Sequence, residues 1–253
     1  MKPLVSVITP TYNCKKYVEI TIASVQAQTY SNWEMIIVDD CSTDGTFEIV
    51  EQIARRDPRI RLSRLDSNSG AGIARTQALE EARGRFIAYL DGDDIWYPHK
   101  LERQLDFMLK NNYGFSCTSY EVIDDKGERL NKTIHMLPKT NYIGFLTNNL
   151  LQTVGIVADT NIVAKDLLRM PSMKRRQDAA TWLQVLKAGH VNYGLPDVLA
   201  QYRRAERSLS SNKFKAAKGV WTLYREVEKL SLLFSSYCFA RYAVLAVWKR
   251  TYL

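Results

Sequence analysis

Three short polar segments of this 253-residue sequence carry side chains suited to chemistry. Asp91-Gly92-Asp93-Asp94 places three carboxylates within four residues, where they repel one another unless a cation or hydrogen-bond donors neutralise them. Oxygen-only ligation of this kind suits Mg2+ or Mn2+, which bind a few protein carboxylates together with substrate phosphates. Asp39-Asp40 followed by Cys41-Ser42 could accept hydrogen bonds from a nucleobase imide or a ribose hydroxyl. Ser69-Gly70-Ala71-Gly72-Ile73-Ala74-Arg75 puts glycines at a helix start with an arginine behind them, a plausible cradle for a diphosphate. Taken singly, each segment has an ordinary alternative: a solvated acidic turn, an Asx turn and a plain helix start.

The elements around these segments place them together. Residues 4–9 form a short apolar run expected to be a buried strand, and 33–38 and 85–90 read the same way. Apolar residues at helical spacing predict helices over 17–28 and 71–82, a third opening at Asp44-Gly45 and a fourth at Pro98. Ile60 and Leu62 alternate with arginines, as in a strand with one exposed face. Four strand–helix alternations in 1–112 predict an α/β fold with a mostly parallel sheet, in which ligands bind beyond the carboxyl ends of the strands. Pro10–Asn13 (10–13), 39–42 and 91–94 all fall at such ends. Beyond residue 112 the pattern is less regular: a strand over 115–123, a turn over 124–128, a helix over 178–187 and helical spacing over 221–248.

Together these blocks resemble family 2 glycosyltransferases of the GT-A fold. Val5-Ser6-Val7-Ile8-Thr9-Pro10-Thr11-Tyr12-Asn13 is similar to the family's opening strand and base-binding turn, and Ser24-Val25-Gln26-Ala27-Gln28-Thr29-Tyr30 to its first helix. Ile37-Val38-Asp39-Asp40-Cys41-Ser42 resembles its second-strand block, Ala71-Gly72-Ile73-Ala74-Arg75 its arginine-bearing helix, and Tyr89-Leu90-Asp91-Gly92-Asp93-Asp94 its metal motif. The resemblance implies an inverting, metal-dependent transferase acting on a nucleotide-diphosphate sugar. Pro10, Tyr12 and Asp40 would meet the nucleobase, with Tyr12 stacking on it and Asp40 accepting from its N3–H, a pairing that suggests UDP. Arg75 would lie near the base or diphosphate. Asp91 would touch the ribose or the metal, and Asp93 would ligate Mn2+ or Mg2+ directly. Arg176-Gln177-Asp178 followed by Trp182-Leu183 is similar to the family's general-base block, making Asp178 the candidate base. Gln201-Tyr202-Arg203-Arg204 resembles the strand near the diphosphate. The histidine that many relatives carry shortly after it is missing, which points to Arg203 or Arg207 at the diphosphate instead.

The implied organisation is a nucleotide-sugar-binding half over 1–112, an acceptor and catalytic-base half over 113–212, and a basic amphipathic tail over 213–253. The net charge of +8 sits wholly in residues 201–253, where 11 Lys and Arg face 3 Asp and Glu. Residues 230–248 are strongly apolar but contain Arg241, which favours a helix lying in a membrane interface over one that spans it. Trp221, Tyr224, Trp248 and Tyr252 are its expected anchors on an anionic surface. The alternative is packing on the catalytic domain or in a homodimer. A peripheral enzyme at the inner face of the cytoplasmic membrane, acting on a lipid-diphosphate-linked glycan in surface-polysaccharide synthesis, is the resulting expectation.

Other classes fit less well. A sugar-phosphate nucleotidyltransferase would carry a glycine-rich basic loop where Pro10-Thr11-Tyr12-Asn13 stands, and no Gly-Lys-Ser/Thr loop occurs. No nucleic-acid-binding module accompanies the basic charge, so nucleic acid is not an expected partner. Cys14, Cys41, Cys117 and Cys238 are too scattered to suggest a zinc site or a disulfide framework, and residues 4–8 do not read as a signal peptide.

Overall fold

The computed structural model describes residues 2–148, 150–173, 175–204 and 213–252. The first half alternates β1 (Val5–Thr11), α1 (Val18–Gln26), β2 (Trp33–Asp39), α2 (Thr46–Ala54), β3 (Ile60–Arg64), α3 (Ala71–Glu81), β4 (Phe86–Tyr89), β5 (Ile95–Trp96) and α4 (Lys100–Asn111). The second half contains β6 (Phe115–Ile123), β7 (Arg129–Ile134), β8 (Lys139–Thr140), α5 (Tyr142–Thr147), β9 (Val157–Asp159), α6 (Gln177–Lys187) and β10 (Asn192–Arg203). The tail holds α7 (Lys213–Thr222), a π-helical turn (Leu223–Val227) and α8 (Leu232–Tyr252).

One sheet runs through the molecule in the order β3-β2-β1-β4-β9-β6-β10-β5, with β7 on β6 and β8 on β10. Strands β3, β2, β1 and β4 are parallel, as the alternation of strand and helix predicts. Strand β9 reverses direction against both β4 and β6, so the sheet as a whole is mixed. Every residue of β1 is buried, because helices cover both faces; that is why the strand reads as an almost continuous apolar run. Its Ser6 hydroxyl donates to Glu34 and accepts from the Gly84 N–H, both at short range (2.6 and 2.8 Å).

Register sets the working edge. Thr11 pairs with Asp39, and Ile8 pairs with Tyr89. The ends of β1 and β2 are therefore level, and the chain leaves β4 into residues 91–94 beside Pro10 and Thr11. Gly92 fits there because of space rather than a left-handed turn. A Cβ on it would lie 2.9 Å from Cys14 Sγ and 3.2 Å from the Pro10 carbonyl oxygen.

The irregular stretch after residue 112 contains more strand than its sequence suggests. The turn at 124–128 closes a β6–β7 hairpin, with Asp124 N–H donating to the Glu128 carbonyl and Gly127 N–H to that of Asp124. The expected helix over 221–248 is interrupted. Glu228 and Leu230 N–H groups turn back to Leu223 and Tyr224, and Lys229 takes a left-handed φ of 52°. The tail is thus a helical hairpin, and it lies against the body. Val220, Leu223, Tyr224 and Cys238 are buried in the main core, and the Tyr224 hydroxyl donates to the Leu146 carbonyl. Glu228 accepts from Tyr142 (2.6 Å) and Lys187 (3.1 Å), fastening the hairpin to α5 and α6.

Candidate active site

Asp39 and Asp40, adjacent in sequence, do different things. Asp39 is a turn-former: it accepts from the Ser42 N–H, the Ser42 hydroxyl and the Thr11 hydroxyl. Asp40 reaches across to the loop before α3 and accepts from the Ser69 N–H (2.6 Å) and the Gly70 N–H (2.8 Å). Each Asp40 oxygen keeps a second lone pair. Two amides of the expected diphosphate cradle at 69–75, those of Ser69 and Gly70, thus hold a carboxylate, a charged acceptor that suits a helix start and its dipole.

Tyr12 stands just past β1 with its residue 52% exposed, and Asn13 beside it adopts a left-handed φ of 47° that turns the chain away. Pro10, by contrast, is buried within β1, paired with Val38. Its carbonyl packs against Gly92, so its contact is with the acidic turn.

That turn is tied down from two sides. Arg75, only 5% exposed, donates to Asp91 Oδ1 from Nη2 (2.5 Å) and Nε (3.2 Å). Burial alone would lower the Arg75 pKa. The Asp91 charge and hydrogen bonds outweigh it, and Asp178 and Tyr89 add to the same side, so the guanidinium is held more firmly charged than usual. On the other side stands Arg203, expected at a diphosphate. It is buried and spends its donors on the protein: its N–H goes to Asp94 Oδ1 (2.8 Å), its Nε to the Asp93 carbonyl (2.9 Å) and its Nη1 to the Asp124 carbonyl (2.9 Å). The guanidinium also lies 4.6 Å from the centre of the Tyr17 ring. Arg203 therefore clamps the acidic turn in this structure, beside the acids expected to meet the donor. Arg207 lies outside the described residues.

The carboxylates themselves are crowded. Burial and then the Asp91 charge push Asp93 up to about 6. Asp94, 1% exposed, is raised well above the carboxylate range by burial, then by Asp93 and Asp91. Among the described residues no three His, Cys, Asp or Glu side chains are arranged to hold a metal. The donor chemistry nonetheless fits a hard cation: oxygen ligands only, with mutually repelling charge.

Asp178 sits in the first turn of α6. This helix start faces that of α3, so closely that a Cβ on Gly72 would come within 3.1 Å of Gln177 Cγ. The Thr76 hydroxyl also donates to the Met170 carbonyl across the same seam. Tyr202 on β10 lies among the acids: burial raises its phenol first, then Asp94, Asp93, Asp91 and Asp178 in turn. Sequence spacing gives no sign of this, nor of the Arg203 clamp, because the partners lie about a hundred residues apart. The β6–β7 turn is similarly latched, with Asp125 accepting from both Lys16 and Tyr17.

In the tail, Tyr224 is buried, so it is not the interfacial anchor expected of it, and Trp221 is half-buried with its ring edge-on against Phe239 at 5.7 Å. The side chains of Trp248 and Tyr252 lie outside the described residues. Among the described residues no helix is long and apolar enough to cross a membrane.

Comparison with known proteins places this geometry. The chain is 47% identical over 249 residues, spanning 98% of both chains, to TuaG of Bacillus subtilis (strain 168), a glycosyltransferase named for teichuronic acid biosynthesis. It is 36% identical, over 98% of this chain and 96% of the relative, to WfgD of Escherichia coli, a UDP-Glc:alpha-D-GlcNAc-diphosphoundecaprenol beta-1,3-glucosyltransferase. The mannosyltransferase PcManGT from Pyrobaculum calidifontis, solved with GDP-Man and Mn2+, shares the fold at a TM-score of 0.71 and 18% identity, covering 96% of this chain and 74% of that one. The profile of Glycosyl transferase family 2 matches residues 6–166, and with relatives this similar along the whole chain, the protein belongs to that family and is a GT-A glycosyltransferase.

Proposed function

We propose that the chain transfers a sugar, with inversion, from a UDP-sugar to a hydroxyl of a glycan carried on a lipid diphosphate. The observation that carries the reading is Arg75, a buried guanidinium bonded to Asp91 on the donor side and close enough to Asp178 to feel its charge. In this reading donor acids and base work side by side near the starts of α3 and α6. Tyr12 stacks on the base and Asp40 accepts from it, with Pro10 backing the acidic turn. Asp93, with Asp91, holds Mn2+ or Mg2+. A bound divalent ion supplies positive charge to the departing diphosphate. Asp178 takes the proton of the acceptor hydroxyl as its oxygen attacks the anomeric carbon and the bond to the nucleotide diphosphate breaks. One base and one displacement invert the anomeric configuration. The names of WfgD and TuaG support UDP-glucose and a lipid-diphosphate acceptor in surface-polysaccharide synthesis as the first substrates to try.

The same reading places the enzyme on the inner face of the cytoplasmic membrane, where a lipid-linked acceptor would be met. Leu233 (86% exposed), Tyr237 and Val244 lie at helical spacing on one side of α8, next to the basic excess of the tail. An apolar stripe with cationic neighbours suits an anionic lipid surface.

A thermal melt with UDP, GDP, CMP and ADP, each with and without Mn2+, tests the donor assignment. UDP with Mn2+ should raise the midpoint, and Asp93→Ala should abolish the rise. A rise with another nucleotide would replace UDP, and a full metal-dependent rise in Asp93→Ala would remove Asp93 from the metal.

A further inference from the structure

The turn that delivers Asp178 has an unusual backbone. Arg176 immediately precedes α6 with φ 64°, ψ 18°, a left-handed conformation that is strained for a non-glycine residue. Something must hold it there, and its surroundings come from the tail. Arg176 Nη2 donates to the Tyr242 hydroxyl on α8 at 3.3 Å. A Cβ on Gly219 of α7 would stand 3.5 Å from Arg176 Cγ. The Arg176 charge also acts on the buried Tyr224 phenol in the π-helical turn, drawing down a pKa that burial raises. Helices α7 and α8 of the C-terminal hairpin therefore meet one side chain, two residues before the candidate base, and its charge reaches the turn between them.

Helix α8 is built to pass this contact outward. Ser235, Cys238, Phe239 and Tyr242 form its inner face, buried or half-buried against the body. Leu233, Tyr237, Ala240 and Val244 lie on the opposite side of the same helix and are exposed. A body resting on the outer face bears on the same rod whose inner face holds Arg176.

We propose that Arg176 is a positioning residue for transfer, and that the Tyr242–Arg176 contact lets α8 set the turn from which Asp178 works. The role in transfer rests on the assignment of Asp178 as base, whereas the contact itself does not. Tyr242→Phe removes only the hydroxyl. Arg176→Asn keeps a side chain that tolerates the left-handed backbone but cannot reach Tyr242.

Two readouts on the full chain separate the parts. Hydrogen exchange at the Ala180 amide, which bonds to the Arg176 carbonyl at 2.9 Å, reports the turn without any substrate. It should quicken about fivefold to tenfold in either single variant, and in the double no further than in Arg176→Asn alone, since the interaction lost in Tyr242→Phe is already lost there. UDP release from UDP-glucose with a GlcNAc-diphosphate-lipid acceptor should show a similar fall in kcat with the KM for donor unchanged. Unchanged exchange in both single variants, or losses that simply add in the double variant, would overturn the contact. Quickened exchange with wild-type kcat would overturn the positioning role. Full activity in Asp178→Asn would instead overturn the base assignment, leaving the exchange result to decide the contact.

Discussion

The donor edge and the C-terminal hairpin solve the same problem, holding polar side chains in place, in opposite ways. At the donor edge, parallel strands buried on both faces bring Asp40, Asp91 and Asp93 to one level by register. The level of the strand ends follows from backbone hydrogen bonding, and Arg75 and Arg203 fix the acidic turn just beyond it. The hairpin has no such frame. It is held by single side chains reaching other elements: Tyr224 to Leu146, Glu228 to Tyr142 and Lys187, Tyr242 to Arg176. A sheet edge tolerates the loss of one side chain far better than a docked hairpin does, and the consequences of substitution should divide along that line.

Arg75 is the strongest test, because its buried guanidinium is the hydrogen-bonded partner of Asp91. Arg75→Met leaves Asp91 facing Asp93 without that partner. Denaturant unfolding should show a loss of about 3 kcal/mol, and retention of wild-type stability would mean that the pair contributes nothing to the edge. Next comes the outer face of the hairpin. Leu233→Ser with Val244→Ser should weaken co-sedimentation with anionic vesicles about thirtyfold, about 2 kcal/mol, while leaving the midpoint of unfolding in place. Undiminished sedimentation would take the membrane off that face. These substitutions are cleaner than deleting the tail, since Val220, Leu223 and Tyr224 belong to the core and their removal would uncover α5 and α6. The smallest effect is expected at Tyr224→Phe, which strips one buried hydrogen bond from the Leu146 carbonyl and should cost about 1 kcal/mol in the same unfolding experiment. A cost near zero would mean that apolar packing alone seats the hairpin.

Legibility in the sequence follows the same division. Strands β1, β2 and β4 could be read because burial on both faces leaves apolar runs, and their acids follow at fixed points. Strands β5, β8 and β9 span two or three residues, too few for any periodicity. Strand β7 alternates too weakly, being largely exposed. The break at 228–231 has neither glycine nor proline to announce it, because Lys229 itself takes the left-handed conformation. Residue types at the site indicated the kind of chemistry, but not which donors the protein would satisfy internally. Ser69 and Gly70 amides went to Asp40, and Arg203 went to carbonyls of the acidic and hairpin turns. Those pairings depend on long-range packing, which residue spacing does not encode.

Donor binding and base catalysis are, in this enzyme, separate functions of neighbouring acids. The direct measurement is transfer and nucleotide binding in Asp178→Asn, side by side. The predicted result is a midpoint shift with UDP and Mn2+ equal to that of the parent chain, with transfer from UDP-glucose to a GlcNAc-diphosphate-lipid reduced about a thousandfold. Transfer at the parent rate in that variant would contradict the account.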